Sequence, residues 1–216
     1  SDVNKHLKPF KGRVFYSEHH LAHQYYSFFT SDFERAICLS IDGVGEIDTL
    51  SFGLADDDGI EYYDLGKYPH SLGLYYSTMT SYLGFKPNEG EYKLMGLASY
   101  GDPQIYIEKL RSLIEFKDGE LICDMNVFCW DKSEKLMFNE KLIEHLGISP
   151  RLTEEQITTI HQNLAAAVQL RYEEVLFDII KKDILSLVQS VNLDVIRGLN
   201  NKKLNIILQI QPQQIQ

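Results

Sequence analysis

Two histidines, His19 and His23, have the types and the spacing that most directly suggest chemistry in this sequence. On a helix, side chains at positions i and i+4 project from one face, one turn apart. Two imidazole nitrogens placed in this way can bind a single metal ion. The alternative is a pair of polar histidines that bind nothing, and spacing alone favours it. His20 projects about 100° away on a helix, so we expect it to support a metal site rather than to bind the ion.

A carboxylate that could complete the site is Asp42. It follows the apolar run of residues 36–41 and precedes Gly43, Val44, Gly45 and Glu46, which predicts a buried strand that ends in a glycine turn. Two histidines and one carboxylate suit a divalent transition metal, iron included, and would leave coordination positions open. The alternative is an ordinary β-turn that Asp42 caps.

A lysine, Lys93, lies in an acidic segment flanked by glycine, directly after Glu89-Gly90-Glu91-Tyr92. Its ammonium could bind a phosphate or a carboxylate of a ligand. Surface pairing with Glu89 or Glu91 is the alternative, and the spacing favours it.

The elements that must position these residues follow from hydrophobic periodicity. Residues 14–30 are predicted to be helical, with Leu21, Tyr25 and Phe28 as the apolar stripe. Alternating apolar residues and the Asp58-Gly59 hairpin signal predict three consecutive antiparallel strands over residues 36–68. The histidine helix and the first strand must therefore pack together for the three ligands to meet.

The rest of the chain is predicted to be mainly helical. We expect helices over residues 70–83, from about Lys93, over residues 104–115, and from Thr153 to about residue 187, with a hairpin turn at residues 117–120. The last helix is predicted to begin at Thr153 because Thr153-Glu154-Glu155-Gln156 has the pattern of a capping box.

Composition limits the class of function. The formal net charge is −10 over 216 residues, which argues against a nucleic-acid partner. No apolar run is long enough for a membrane span, and the first residues lack the apolar core of a signal peptide. Three cysteines without metal-finger spacing predict reduced thiols, so we expect a cytoplasmic protein with no membrane partner.

Four ordered motifs carry a family resemblance. They are EHHLAH, LSIDGVGE, YPHSLGLYYSTMTSYLGF and NEGEYKLMGLASYG, all within residues 18–101, and a later segment, NLAAAVQLRYEEVL, is also similar. Over about residues 14–185 the chain resembles the O-carbamoyltransferases, the family of nodulation protein U and of the carbamoyltransferases of antibiotic biosynthesis.

The resemblance implies a fold and a reaction. It implies part of a ribonuclease H-like α/β domain of the sugar kinase and actin type, with antiparallel strands followed by helices. Residues 1–35 would end its first half, residues 36–190 would form the second half, and residues 191–216 would be a divergent tail. The implied reaction moves a carbamoyl group from ATP-derived carbamoyl-adenylate to a hydroxyl of a small-molecule acceptor. The implied metal is usually iron, here expected as Fe(II), and His19, His23 and Asp42 match its ligands.

Further roles and departures also follow from the resemblance. Gly43, Val44, Gly45, Glu46 and Lys93 would bind carbamoyl-adenylate. The family's glycine-rich segment after the long helix and its adenylate-forming domain have no counterpart in the sequence, so we expect an incomplete fragment. The alternatives are a metal-binding relative of the threonylcarbamoyl-adenosine tRNA-modification proteins, which the acidic charge disfavours, and a non-catalytic remnant.

Overall fold

The computed structural model describes residues 13, 15–133, 136–184 and 206–210 of the chain. The helices are α1 (His19–Phe29), α2 (Leu72–Tyr82), α3 (Glu91–Ala98), α4 (Ile107–Arg111), α5 (Glu140–Leu146) and α6 (Thr159–Asp178), with a 3-10 turn at Pro103–Ile105 and a π-helical turn at Ile179–Ile184. The strands are β1 (Ala36–Gly45), β2 (Asp48–Asp56), β3 (Gly59–Lys67), β4 (Ile114–Lys117), β5 (Glu120–Cys123) and β6 (Ile206–Ile210). The predicted mixed α/β class, with antiparallel strands followed by helices, is confirmed.

The main sheet has the strand order β3-β2-β1-β6. The pairs β1–β2 and β2–β3 are antiparallel, which confirms the three strands predicted over residues 36–68. Strand β6 adds to the other edge of β1 in parallel orientation. It comes from the segment predicted to be a divergent tail, and the other residues of that segment lie outside the described range.

Strand β1 continues beyond the predicted glycine turn. The turn lies instead at Glu46 and Ile47, where Glu46 has a φ of 62°. Gly45 still pairs with Asp48, and the register with β2 is irregular between Ile41 and Gly45. The prediction that Asp42 ends a strand is therefore wrong. It lies inside β1, at the irregularity where regular pairing with β2 is interrupted.

The main core lies between one face of the sheet and helices α2 and α6. The face of α2 predicted from the sequence is buried, and it consists of Leu72, Tyr75, Tyr76, Met79 and Leu83. These side chains pack with Leu39 and Phe52 of the sheet and with Leu164 and Val168 of α6 in a single hydrophobic cluster. This cluster holds β1 from one side. Because side chains alternate between the two faces of a strand, the other side chains of β1 are directed to the opposite face.

Helix α6 begins at Thr159, so the predicted start at Thr153 is wrong. Its capping box joins Thr158 and His161. The guanidinium of Arg151 donates to the carbonyl oxygens of Leu152, Thr153 and Glu155. These bonds, together with the backbone N–H of Glu155 donating to the carbonyl oxygen of Leu152 at 3.0 Å, hold the segment in a turn.

Three other boundaries differ from or match the prediction. Helix α1 begins at His19 rather than at residue 14, and the helix predicted over residues 104–115 is reduced to a 3-10 turn and α4 because Ile114 already pairs in β4. The hairpin predicted at residues 117–120 is confirmed, with Asp118 and Gly119 both at positive φ.

The three cysteines are free thiols, as predicted. Among the described helices, none has both the length and the apolar character needed to cross a membrane.

Candidate metal centre

Helix α1 packs on the sheet through polar side chains. Its buried residues are His20, Gln24, Ser27 and Phe28, whereas Leu21 and Tyr25 of the predicted apolar stripe are half-buried. The hydroxyl of Ser51 on β2 lies 2.8 Å from Nδ1 of His20 and accepts from Nε2 of Gln24 at 3.0 Å. The predicted buried face is therefore largely wrong, because the sheet surface beneath α1 offers hydrogen-bonding groups.

The sheet face beneath α1 is made of small side chains. Ala36, Cys38 and Ser40 of β1 pair with Ala55, Gly53 and Ser51 of β2. A Cβ added at Gly53 would lie 2.4 Å from Oε1 of Gln24. Small residues therefore let α1 approach closely. Asp42 has the same parity in β1 as Ser40, so the two-residue alternation of a strand directs it toward α1.

The three predicted ligands converge. Nε2 of His19 lies 2.7 Å from Oδ2 of Asp42 and 3.0 Å from Nε2 of His23. One ligand atom from each residue lies within 4.8 Å of the other two. The side chain of His19 is 42% exposed and that of Asp42 is 9% exposed. The cluster thus has a protein-enclosed carboxylate side and a solvent-accessible histidine side.

The position of Asp42 is fixed by its own backbone and by α2. Its Oδ1 accepts from the backbone N–H of Gly43 at 2.6 Å, which leaves Oδ2 directed at His19. Its carbonyl oxygen accepts from the hydroxyl of Ser71, the N-cap of α2, at 3.1 Å. A Cβ at Gly73 would lie 2.7 Å from that carbonyl oxygen. The close approach of α2 to Asp42 therefore needs a glycine at this position.

Gly45 provides the space for two imidazoles. A Cβ at Gly45 would lie 2.5 Å from Cδ2 of His19 and 2.7 Å from Cδ2 of His20. His20 is not one of the three clustered residues. Its Nδ1 is held by Ser51, while its Nε2 is buried without a hydrogen-bond partner. Burial lowers the pKa of His20. Burial, and to a smaller extent the nearby His19, lowers the pKa of His23. Both shifts favour neutral imidazole, the form that binds metals.

Comparison with known proteins identifies the family. Residues 3–208 match the family described as "Carbamoyltransferase N-terminus". The chain belongs to this carbamoyltransferase family. The resemblance inferred from the four motifs is therefore confirmed.

Several longer proteins are similar to this family member. An uncharacterised protein from Synechocystis is 38% identical over 163 residues, which cover 75% of this chain and 26% of that protein. Nodulation protein NolNO from Sinorhizobium fredii is 30% identical over 171 residues, covering 78% of this chain and 23% of NolNO. Nodulation protein NolO from Bradyrhizobium diazoefficiens is 40% identical over 103 residues, covering 47% of this chain and 18% of NolO. The chain spans about a quarter of the length of the first two relatives.

The residues predicted to bind carbamoyl-adenylate in this carbamoyltransferase domain lie at two places. Gly43, Val44 and Gly45 are in the extended part of β1, and Glu46 is in the turn that follows. The N–H of Gly43 is already bonded to Asp42. One backbone N–H of this segment is therefore engaged within the protein, and the role of these residues in ligand binding stays a prediction.

Lys93 is exposed on α3, with its Nζ 5.8 Å from the ring centroid of Tyr92. Glu89 pairs with Lys86, while Glu91 accepts from Ser77 and from nearby backbone N–H groups. The alternative of surface pairing with Glu89 or Glu91 is therefore wrong within the described structure. The ammonium of Lys93 has no ion pair there, and its role toward a ligand remains a prediction.

A cavity of about 500 Å³, which no sequence motif predicted, lies between α2, α3 and α6. Its lining includes Tyr76 on α2, Asn88 before α3, and Gln169, Tyr172 and Glu173 on α6. Gly73, which contacts the backbone of Asp42, also lines it. A polar pair four residues apart, Gln169 and Glu173, on a helix that also has a long apolar face, is the signal that could have indicated it.

Proposed function

We propose that this carbamoyltransferase domain holds a divalent transition metal, Fe(II) in the first place, on His19, His23 and Asp42. The observation that carries the proposal is the convergence of two imidazole nitrogens and one carboxylate oxygen within 4.8 Å. Two nitrogens and one oxygen suit iron and its neighbours in the first transition series better than Mg²⁺ or Ca²⁺, which prefer oxygen ligands. The depressed pKa of His23 adds support because a ligand must be unprotonated.

The reaction that fits this site is transfer of a carbamoyl group from carbamoyl-adenylate to a hydroxyl. The acceptor oxygen forms a bond to the carbamoyl carbon, the bond from that carbon to the adenylate phosphate oxygen breaks, and the hydroxyl proton is released. A bound metal would supply Lewis-acid stabilisation of the developing negative charge. The chain's own contribution is to hold Asp42 through Gly43 and Ser71, and to bind the adenylate through the segment from Gly43 to Glu46 and through Lys93.

The proposed architecture is part of a ribonuclease H-like domain. Its support is an antiparallel β1–β2–β3 unit followed, after the helices, by β6 parallel to β1. We propose that residues 36–190 belong to the second half of that domain and residues 1–35 to the end of the first. Because the relatives are about four times longer than the matched region, carbamoyl-adenylate would be made by a domain outside these residues.

Metal analysis tests the proposed centre. The purified chain is expected to bind about one equivalent of Fe(II) under anaerobic conditions, as measured by elemental analysis after gel filtration. His19→Ala/His23→Ala is expected to lose that binding, because Asp42 alone offers a single weak ligand. His145→Ala is the control, since His145 bonds to Lys109 and Ser112 outside the cluster. Unchanged iron content in the double variant would overturn the assignment.

A transfer assay tests the chemistry. Synthetic carbamoyl-adenylate labelled with ¹³C is mixed with the chain and a panel of hydroxylated acceptors, and carbamate ester formation is followed by NMR. A longer relative that contains the matched region is the positive control. Metal binding without transfer, when the longer protein is active, would assign these residues a metal-binding part of the enzyme rather than independent catalysis.

A further inference from the structure

The segment of residues 68–71 joins β3 to α2 and is held by hydrogen bonds to distant parts of the chain. The backbone N–H of Tyr68 donates to the carbonyl oxygen of Ile47 at 2.9 Å. The carbonyl oxygen of Pro69 accepts from Nε1 of Trp130 at 2.7 Å, and the hydroxyl of Tyr68 donates to the carbonyl oxygen of Trp130 at 2.6 Å. The first half of the segment is therefore attached both to the turn between β1 and β2 and to Trp130.

His70, in the second half of this segment, connects the hairpin β4–β5 with the main sheet. Its Nδ1 accepts from the backbone N–H of Cys123, the last residue of β5, at 3.1 Å. Its carbonyl oxygen accepts from the hydroxyl of Thr49 on β2, a buried residue, at 2.6 Å. The imidazole thus serves as a hydrogen-bond acceptor, which requires the unprotonated nitrogen. His70 is not one of the three residues that cluster at the proposed metal centre.

Ser71 continues the connection from His70 to the backbone of Asp42. Its buried hydroxyl donates to the carbonyl oxygen of Asp42 at 3.1 Å and accepts from the N–H of Leu74 at 3.0 Å. The carbonyl oxygen of Ser71 lies 3.8 Å from Sγ of Cys123. A serine hydroxyl has a single proton to donate, and here that proton is given to Asp42. Contacts thus run from the hairpin β4–β5 through His70 and Ser71 to Asp42.

Asp42 needs such support because regular strand pairing does not hold it. The register between β1 and β2 is irregular between Ile41 and Gly45, and Asp42 lies within this interval. Its Oδ1 accepts from the N–H of the adjacent Gly43, whereas the bond from Ser71 ties its backbone to another element. The direction of a carboxylate follows its backbone, and a metal site tolerates displacements of only about 0.5 Å. The bond from Ser71 therefore bears on the geometry of the cluster.

We infer that His70 and Ser71 are positioning residues for the metal centre, and that the hairpin β4–β5 supports Asp42 through them. The inference rests on the proposed function for the metal, while the hydrogen bonds that carry it belong to the fold. Ser71 acts on the carbonyl oxygen of Asp42, and His70 acts by holding the residue that precedes Ser71. Loss of either contact leaves the carboxylate a wider range of orientations toward the two imidazoles, which weakens metal binding.

A pair of helix caps tests the role of Ser71. Ser71→Ala is expected to weaken Fe(II) binding by about tenfold, as measured without oxygen by competition with a chelator of known affinity. Asn139→Ala is the matched control, because Asn139 caps α5 through the N–H of Lys141 and also donates to the carbonyl oxygen of Asn126 at 2.9 Å. It loses the same two kinds of contact in a helix that carries none of the clustered residues, so it should keep wild-type affinity. Equal weakening in the two variants would overturn the inference.

Two substitutions of His70 test the link to the hairpin. His70→Ala is expected to weaken Fe(II) binding by about threefold to tenfold, less than the loss of a direct partner of a ligand. His70→Asn keeps an acceptor for the N–H of Cys123 and should restore most of the affinity. His145→Ala is the control, because it removes another histidine that bonds across two elements, to Lys109 and Ser112, and it should not change the affinity.

The outcomes separate this inference from the proposed metal centre. Each variant is first checked for folding by circular dichroism without metal, and affinities are compared at a temperature at which all are folded. His70→Ala carries the test if Ser71→Ala does not fold. Wild-type affinity in both folded variants, even with reduced thermal stability, would overturn the inference while the metal centre stands. Absence of Fe(II) binding by the wild-type chain would overturn the metal centre and, with it, this inference.

Discussion

Helices α1 and α2 pack against opposite faces of β1 and do so by opposite means. Helix α2 buries nine of its residues, and five large ones belong to the main hydrophobic cluster: Leu72, Tyr75, Tyr76, Met79 and Tyr82. Helix α1 buries His20, Gln24 and Ser27, and its apolar contact is a small cluster of Phe28, Ala36, Cys38 and Ala55. The difference indicates a division of labour. Helix α2 holds the sheet, and α1 holds imidazoles near a carboxylate at a lower gain in hydrophobic free energy.

Strand β1 serves both helices because its side chains alternate. Ile37, Leu39 and Ile41 belong to the main cluster on the α2 side. The small residues and Asp42 are on the α1 side. The arrangement places a buried carboxylate on a rigid strand, while the histidines that approach it lie on a helix that is partly open to solvent. Sites on strands and helices hold ligand geometry better than sites on loops.

The largest expected effect is on the stability of the α2 side. Met79→Ala is expected to lower the free energy of unfolding by about 2–5 kcal/mol, because it leaves a cavity at a fully buried position. His23→Ala on α1 should lower it by about 0.5 kcal/mol or less, as an exchange at a half-exposed position. Urea denaturation of both variants measures the contrast. Similar losses in the two variants would show that α1 and α2 do not differ in their contribution to the free energy of unfolding.

The next effect is on metal affinity and comes from a backbone position. Gly45→Ala is expected to weaken metal binding by about 10–100-fold, because the added methyl group would displace the rings of His19 and His20. Gly96→Ala is the matched control, since nothing lies within 4 Å of a Cβ at that position. Competition with a chelator of known affinity measures both. Equal affinities in the two variants would show that Gly45 does not constrain the site.

Two facing serines differ in their hydrogen bonding at the polar interface between α1 and the sheet. Ser40 and Ser51 are cross-strand partners, but Ser51 binds His20 and Gln24 while the hydroxyl of Ser40 is buried without a partner. Ser51→Ala should lower the free energy of unfolding by about 1–3 kcal/mol, because it leaves two buried polar groups unpaired. Ser40→Ala should be close to neutral. Thermal unfolding separates them, and a larger loss in Ser40→Ala would contradict the assigned role of Ser51.

The smallest expected effect is a pH dependence outside α1. Burial, and to a smaller extent the positive charge of Arg151, lowers the pKa of His161. The unfolded chain then binds the proton more readily, so stability from neutral His161 is present above the unfolded pKa of about 6.5 and is lost as the pH falls below it. His161→Gln, whose amide oxygen can still accept from Thr158, should lose less stability between pH 7.5 and pH 5. If the two curves are parallel, His161 does not contribute to the pH dependence.

The sequence determined the strands, the residue types of the histidine–aspartate cluster and the family. A continuous apolar run identified β1, alternation and a hairpin signal identified β2 and β3, and the apolar face of α2 followed from its period. These patterns reflect burial in a large core. The prediction that His19 and His23 project from one face required only that the segment be helical. The capping-box pattern at Thr153 did not predict the helix start correctly, because such a short pattern also fits a turn, here one held by the neighbouring side chain of Arg151.

Only the tertiary structure decided which face of α1 is buried, where Asp42 lies in β1, and that a cavity opens beside it. Each depends on a contact between residues distant in sequence. His20 and Gln24 turn inward because Ser51 on β2 offers a hydrogen bond, and the small residues of the paired strands leave room for it. The chain's own sequence fixes which groups can bond, but hydrogen-bond partners and close approach between separate elements are properties of the packed fold.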